Sequence, residues 1–502
     1  MKRVAIIGGG WAGLACAHGL TEACRQAREP TEIWLFEASP HAGGRARGIR
    51  WETSLGETSV DNGQHLLIGA YSQSWKLLQE AGVPLERAWS DSALHWASYT
   101  PDRPTGYELL RIPPQAWPWR FLGQSFPPFT DRRLAQPWSL LSRLSLANLL
   151  RHAIQSNWQA TGTVFHWLSQ LAMPERVRLQ FWRPLIEGAL NTDWRQASAS
   201  VCLRVIKDSL TGPAGSTNCW HPRADLSQNA IEPLWRWLTT RQAKLISRCR
   251  IAALRPTTSA SPGSGSGRGS GSGPDSSKWQ LQVHPSSQDQ ALAFGLKDQT
   301  FDAVVLATPA YEADRLWRQS GLQETPAIVR ARALDWRGVM TLYIHLNQDQ
   351  AALLGPATQW LCSLPGLGDR THVGLARSPS ENGSQVVSMV ASGLGPDDDR
   401  AVTADSLWRS AEHYLRPLGI ANLKALPYRF TDDPKATWAC TAAFTDAVGY
   451  ALADLDDAPL TGIAGLYRAA DDLTYGYPAC IEAAVRSGQA SARRVHQYLG
   501  LA

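Results

Sequence analysis

At 502 residues the chain is too long for one ordinary hydrophobic core, and with 44% hydrophobic and 19% charged residues it reads as two interleaved globular domains, not a disordered or fibrous protein. A formal net charge of +5 without any long basic block excludes nucleic acid as an expected partner, though weak attraction to an anionic membrane surface stays open. Eight scattered cysteines, with no Cys-x-x-Cys pair and no metal-ligand spacing, read as buried thiols in a reducing compartment and exclude a metal centre.

The first element is the apolar run Val4-Ala5-Ile6-Ile7, a buried strand, followed by Gly8, Gly10 and Gly13 and a helix over Leu14 to Ala23. Gly8 suits a sharp turn, Gly10 lets the backbone approach a pyrophosphate, and Gly13 lets the helix pack against the strand. The phosphates of a dinucleotide would sit at the helix N-terminus, where free N–H groups point at them. A second strand, Ile33-Trp34-Leu35-Phe36, ends in Glu37, placed to accept hydrogen bonds from ribose hydroxyls; an NADP site would carry a basic residue there. Lys2-Arg3 before an apolar run imitates a signal peptide, but glycines break that run after four residues. No stretch approaches the roughly 18 apolar residues that cross a bilayer, so the expectation is a cytoplasmic protein, peripheral on the membrane at most.

Gly43-Gly44-Arg45 follows Glu37 after a short loop, where its glycines again admit a close cofactor and the guanidinium can reach phosphate oxygens or the flavin side. The pair of motifs resembles the amine oxidase and phytoene desaturase superfamily of flavoproteins. That resemblance implies an α/β fold: a Rossmann-like FAD-binding domain interleaved with an α+β substrate domain. It assigns cofactor contacts to Gly8, Gly10, Trp11, Ala12, Gly13, Glu37, Ala38, Gly43, Gly44, Arg45, Gly63, Gln64, Ile251, Ala307, Pro309, Gly465, Leu466, Ala479 and Ile481. The segment Pro478 to Gly488 resembles the superfamily's C-terminal flavin motif, whose helix N-terminus stabilises negative charge on the reduced ring. Members carry Asp directly after the glycine matched here by Gly465; this chain has Leu466, with Asp471 or Asp472 as the substitute.

A helix is expected over Tyr71 to Ala81. Trp89 to Trp182 then contains eight tryptophans and no lysine, and reads as a helical insertion. Leu245 to Leu254 and Lys278 to His284 are expected strands, joined by a flexible Ser-Gly surface loop (259–277), and Phe301 to Pro309 is a buried strand ending in a loop. Strands over Val339 to Leu346 and Gln385 to Ala391 and a helix over Asp405 to Leu415 belong to the other domain; a last strand from Thr461 and a helix from Ala479 return to the first. The expected division is 1–88, 220–335 and 445–502 for FAD, and 89–219 and 336–444 for substrate.

Asp61-Asn62-Gly63-Gln64-His65, Trp182-Arg183-Pro184-Leu185, Ala189-Leu190-Asn191-Thr192, Pro222 to Ser227 and Lys435 to Trp438 resemble, in order along the chain, the squalene-associated branch, the hydroxysqualene dehydroxylases of bacterial hopanoid synthesis. The resemblance implies hydride transfer from reduced flavin to the carbon that loses an allylic hydroxyl. His65 would donate the proton or orient the hydroxyl, with Tyr475 or Tyr477 the second candidates. Trp96, Trp117, Trp119, Arg183 and Asn191 would shape the substrate pocket, with ordinary aromatic core, a buried ion pair and a helix cap as the plain alternatives. The stretch from Trp138 to Arg151 either lies in a lipid interface or packs on the core. Rival readings are a carotenoid-type desaturase or isomerase, an amine oxidase, and a non-catalytic prenyl-binding protein of the Rab-escort type.

Overall fold

A computed structural model describes residues 1–99, 107–112, 136–137, 140–171, 173–257, 278–354, 360–365, 371–377, 380, 382–447, 461–474 and 476–501. Trp117, Trp119, Trp138, Tyr475 and the Ser-Gly loop lie outside them.

Strand β1 (Lys2–Ile7) leads through the glycine turn into helix α1 (Trp11–Ala27), and β2 (Thr31–Phe36) follows. With β3 (Lys244–Ile246), β4 (Ala303–Leu306) and β5 (Leu466–Arg468) they form a parallel sheet in the order β3-β2-β1-β4-β5. Val4 sits between Ile33 and Ala303 in register, and Val4, Ala5 and Ile6 are fully buried. Both faces are covered, which is why these strands read as unbroken apolar runs. On one face α1 packs on the C-terminal helix Ile481–Tyr498 so closely that a Cβ on Gly488 would run into the Ala12 carbonyl.

A second sheet has eight strands in the order Tyr428–Trp438, Trp336–Leu346, Gln385–Leu394, Thr371–Ala376, Trp360–Pro365, Leu94–Tyr99, Tyr107–Ile112 and Gln136–Pro137. Helix Arg400–Leu415 covers part of it and starts five residues before the expected Asp405, because Asp399 caps it by accepting from the Ala401 and Val402 N–H groups at 2.8 and 3.1 Å. The parallel sheet flanked by helices, with further sheets beside it, agrees with the α/β expectation.

The expected single strand Leu245 to Leu254 is two. Arg248 adopts a left-handed conformation (φ 56°) and the chain turns there: Lys244–Ile246 joins β2, while Ile251–Thr257 pairs with Lys278–Val283 in a separate ribbon. Arg248 and Cys249 spend their N–H groups on the carbonyls of Ser39 and Glu37, which fixes the kink against the loop after β2.

One buried ion pair ties the two-stranded ribbon Gly48–Thr53/Gly56–Asp61 to the eight-stranded sheet, beside the end of strand Thr371–Ala376. Asp61 is fully buried, accepts from Leu226 N–H at 2.9 Å, and lies 3.2 Å from the guanidinium of Arg377, which also donates to the carbonyls of Ser59 and Ala224. Removing one partner leaves a buried charge uncompensated. Arg377→Met should therefore lower the unfolding free energy by about 3–5 kcal/mol, with Asp61→Asn in the same chain recovering part of it; urea unfolding of the two variants checks this.

Two other buried groups set an acid limit. Burial pushes the pKa of His18, stacked 4.2 Å from Trp237, and of His221 from 6.5 down to about 4. A lowered folded value means the unfolded chain takes up protons that the folded one refuses, so this stability is present above pH 6.5 and is lost as pH falls toward 4. Melting temperature across that window should drop, and more steeply than in His18→Gln.

Candidate active site

The two glycine motifs meet. Gly43 N–H donates to the Gly9 carbonyl at 2.8 Å, and Gly10 and Gly43 form a parallel bridge. A Cβ on Gly13 would collide with the Gly8 carbonyl and one on Gly8 (φ +116°) with the Ala307 carbonyl, so neither position has room for a side chain. No side chain caps α1 at Gly10, and the first intrahelical bond runs from Leu14 N–H to the Gly10 carbonyl, so the earlier N–H groups of the helix face outward, open to an anion. Glu37 is held at the rim by Gly9 N–H at 2.8 Å on one carboxylate oxygen and Ser39 N–H at 2.7 Å on the other. A carboxylate has about four acceptor positions, which leaves two for ribose hydroxyls. Cradle, open N–H groups and acceptor together fit a dinucleotide.

These residues line one end of a cavity of about 760 Å³. Of the expected cofactor contacts, Gly8, Gly10, Trp11, Ala12, Glu37, Ala38, Gly43, Gly44, Arg45, Gly63, Gln64, Ile251, Ala307, Pro309, Ala479 and Ile481 line it. Gly13 acts behind the wall, in packing. Gly465 and Leu466 are corrected: Gly465 abuts Trp279 and Asp302, and Leu466 begins β5, buried in the core beside Val304. The chain reaches the cavity only where β5 ends, at Ala469, Ala470 and Asp471, so Asp471 is the carboxylate in the wall, while Asp472 pairs with Arg468 at 3.1 Å. Arg45 turns toward Asp471 (2.5 Å) and the Ala436 carbonyl (2.8 Å), with Trp336 under its guanidinium.

The other end of the cavity is apolar. Leu94, Trp96, Phe181, Trp182, Leu185, Ile186, Val373 and Leu375 line it. Trp96 donates to the Gln180 carbonyl at 3.2 Å and meets Phe181 edge-on at 5.6 Å, and Phe181 meets Trp182 at 5.0 Å. Arg183 does not line the cavity; it pairs with Glu187 at 3.0 Å in the core, which corrects its place in the substrate pocket. Asn191 lines it but spends its side chain on structure. Left-handed at the end of helix Arg183–Leu190, it donates to Thr437 Oγ1 at 2.7 Å and accepts from Gly393 N–H at 2.5 Å.

His65 lines the cavity, its Nδ1 2.6 Å from the Gly63 carbonyl oxygen. A carbonyl only accepts, so Nδ1 carries the hydrogen and Nε2 is an acceptor. Burial lowers its pKa to about 4, and the ring is neutral at neutral pH with its one N–H already spent. Tyr477 lines the cavity with its hydroxyl on Asp208 at 2.6 Å.

Sequence reasoning missed Tyr71, Cys480 and Asp208 in the wall. Cys480 was within reach: it stands between Ala479 and Ile481, and its sulfur caps the C-terminal helix by accepting from Ala483 N–H. Cys202, Cys219 and Cys249 also line the cavity from distant parts of the chain, and no spacing signal announces that.

Removing the rim carboxylate should loosen the nucleotide. Glu37→Ala is expected to weaken flavin retention roughly 10- to 100-fold, the span of one or two charge-assisted hydrogen bonds. Absorbance of bound flavin against protein after dialysis measures it.

Comparison with known proteins agrees with this geometry. The chain is 26% identical to hydroxysqualene dehydroxylase of Rhodopseudomonas palustris over 98% of its own length and 97% of the relative's, and 23% identical to that of Sinorhizobium fredii with the same coverage. Among solved structures it resembles cyclohexylamine oxidase from Brevibacterium oxydans (TM-score 0.65, 14% identity, 99% of both chains) and an oxidoreductase from Methanosarcina mazei (TM-score 0.64, 12% identity, 98% of this chain and 100% of that one), a likeness of fold. The family model described as flavin containing amine oxidoreductase matches residues 11–220 and 278–496. With the dinucleotide cradle at one end of its cavity and that match over most of its length, the chain belongs to the flavin-containing amine oxidoreductase family, and FAD is its cofactor.

Proposed function

We propose that this FAD oxidoreductase removes the hydroxyl of hydroxysqualene reductively, giving squalene for hopanoid synthesis. The observation that carries the reading is the apolar arm of the cavity, walled by Trp96, Phe181 and Trp182 and continuous with the cofactor end. Likeness along the whole chain to two hydroxysqualene dehydroxylases supports it. Among the described residues lining the cavity there is no lysine, which weighs against the amine oxidase alternative. The intact nucleotide cradle weighs against a non-catalytic prenyl-binding protein.

When bound, reduced flavin supplies a hydride to the carbon that the hydroxyl leaves. The protein's own tasks are to hold that carbon in place, exclude water and shield a developing cation. Aromatic faces of Trp96, Phe181 and Trp182 offer negative quadrupoles to such a cation, and their packing keeps bulk water out. His65, neutral and with Nε2 as acceptor, orients the substrate hydroxyl and does not protonate it. The division into a flavin-binding and a substrate-binding body is part of the same reading: the five-stranded sheet takes its strands only from 1–88, 220–335 and 445–502, and the eight-stranded sheet only from 89–219 and 336–444.

So insoluble a substrate would arrive from a bilayer, with the enzyme peripheral on its cytoplasmic face. Among the described residues no helix is long and apolar enough to cross a membrane. Helix Leu140–Gln155 buries Leu149, Leu150 and Ala153 and presents Leu144 and Ile154, 55% and 45% exposed, beside exposed Arg151. That is the composition of an interfacial face.

Anaerobic incubation of the chemically reduced protein with hydroxysqualene should yield squalene, identified by mass, with flavin returning to its oxidised spectrum. Desaturation of phytoene without dehydroxylation would replace this reading by the carotenoid one. His65→Ala should slow turnover about 10-fold or more with flavin still bound.

A further inference from the structure

Where the apolar arm of the cavity meets the C-terminal flavin motif, a carboxylate and a phenol share the wall. Asp208 stands on helix Ala199–Thr211 among Val205, Ile206 and Leu210, and Tyr477 lies four residues before Ile481. The Tyr477 hydroxyl donates to Asp208 Oδ2 at 2.6 Å, in the range of a charge-assisted O–H···O bond. Arg204, one turn earlier on the same helix, donates its Nε to both Asp208 oxygens at 3.1 and 3.0 Å and its Nη2 to the Tyr477 oxygen at 3.2 Å. Its guanidinium lies 4.8 Å from the Tyr477 ring centroid, and that of Arg486 lies 4.9 Å from it. Arg204 is not part of the cavity wall, and its side chain is 39% accessible, so the far end of this cluster meets bulk water while the near end faces the cavity.

An apolar arm that takes only a hydrocarbon has no use for a carboxylate–phenol pair in its wall. An alcohol whose oxygen must leave as water does need a donor, and His65 has spent its only N–H. Resting on the reading of the site as a dehydroxylase, we propose that Tyr477 binds the substrate hydroxyl and, with Asp208 and Arg204, delivers the proton on which it departs.

Asp208 takes a proton from water at the Arg204 side and becomes a donor to the phenol oxygen, which turns the phenol O–H toward the substrate. As the carbon–oxygen bond breaks, its electron pair stays on oxygen together with the Tyr477 proton, and water leaves. The Asp208 proton moves to the phenol oxygen, restoring the carboxylate, and the carbon left electron-poor takes the hydride that the reduced cofactor supplies. One solvent proton and one hydride are consumed for each hydroxyl lost. Arg204 and Arg486 steady the negative charge passing through the phenol oxygen. Burial and the neighbouring Asp208 push the Tyr477 pKa up, so the phenol keeps its hydrogen at every working pH. Among the described residues Arg204, on its own helix, donates to Asp208, and Arg486, itself paired with Glu482 at 2.8 Å, lies across the Tyr477 ring.

The first test needs no turnover. The oxidised holoprotein is titrated with farnesol and with farnesene, read through perturbation of the flavin spectrum. The wild type should bind the alcohol about 10-fold more tightly, and Tyr477→Phe should erase the difference while melting temperature and flavin content stay unchanged. The second is single turnover of hydroxysqualene by the pre-reduced holoprotein in H2O and D2O. A normal solvent isotope effect is expected, with a loss of about 100-fold in Tyr477→Phe and about 10-fold in Asp208→Asn. Equal binding of alcohol and hydrocarbon by the wild type, or an undiminished preference in Tyr477→Phe, overturns hydroxyl binding at Tyr477. Wild-type rate and isotope effect in both variants overturn the proton route. Alcohol preference that depends on Tyr477 in a protein inert toward hydroxysqualene overturns the dehydroxylase reading and the proton route and leaves the hydroxyl site standing.

Discussion

Two backbone turns press against each other at the N-terminus of α1, and the rest of the site follows from that contact. Gly43 donates to the Gly9 carbonyl, Gly10 bridges Gly43, and Gly13 and Gly8 leave no gap that a methyl group could occupy. A pyrophosphate can approach open N–H groups only where no Cβ stands between, so the constraint is steric before it is electrostatic. Glu37 shares in it, because its carboxylate holds the Gly9 N–H and so helps set the turn.

A second consequence concerns Arg45. A guanidinium beside a phosphate site is expected to serve the phosphate, yet here it binds Asp471 at the end of β5 and the Ala436 carbonyl at the end of a strand of the eight-stranded sheet, lying over Trp336. One planar cation thus joins the glycine loop, the loop after the last strand of the five-stranded sheet and the eight-stranded sheet at the cavity wall. Asp61 and Arg377, both buried, join the ribbon Gly48–Thr53/Gly56–Asp61 to the eight-stranded sheet. Neither pair fills the cavity; both hold its two ends, one polar and one apolar, in a fixed relation.

How far the chain announces this varies by residue. Gly8, Gly10, Gly13 and Glu37 are legible because each acts within one strand–turn–helix unit, where spacing along the sequence is spacing in space. Asp471 is legible only as one of a pair: the resemblance offered Asp471 or Asp472 in place of the Asp missing at Leu466, and the choice falls to Asp471 because β5 runs from Leu466 to Arg468, in register with Val304–Leu306, before the chain reaches the cavity. The kink at Arg248 escaped because apolar Leu245, Ile246, Ile251 and Leu254 on either side of it read as one strand, and the turn is fixed by carbonyls of Glu37 and Ser39 two hundred residues earlier. Arg183 and Asn191 carry residue types suited to a pocket, and their partners Glu187, Thr437 and Gly393 make them structural.

By itself the sequence determined the glycine cradle, because it rests on local sterics within one strand–turn–helix unit, and its resemblance to a flavoprotein superfamily implied the α/β class. Only the tertiary structure decided which carboxylates and hydroxyls face the cavity. Asp208 and Tyr477 are 269 residues apart and become a hydrogen-bonded pair only when helix Ala199–Thr211 packs against the C-terminal motif. Their chemistry comes from a distance of 2.6 Å and a shared wall, and no spacing along the chain encodes either.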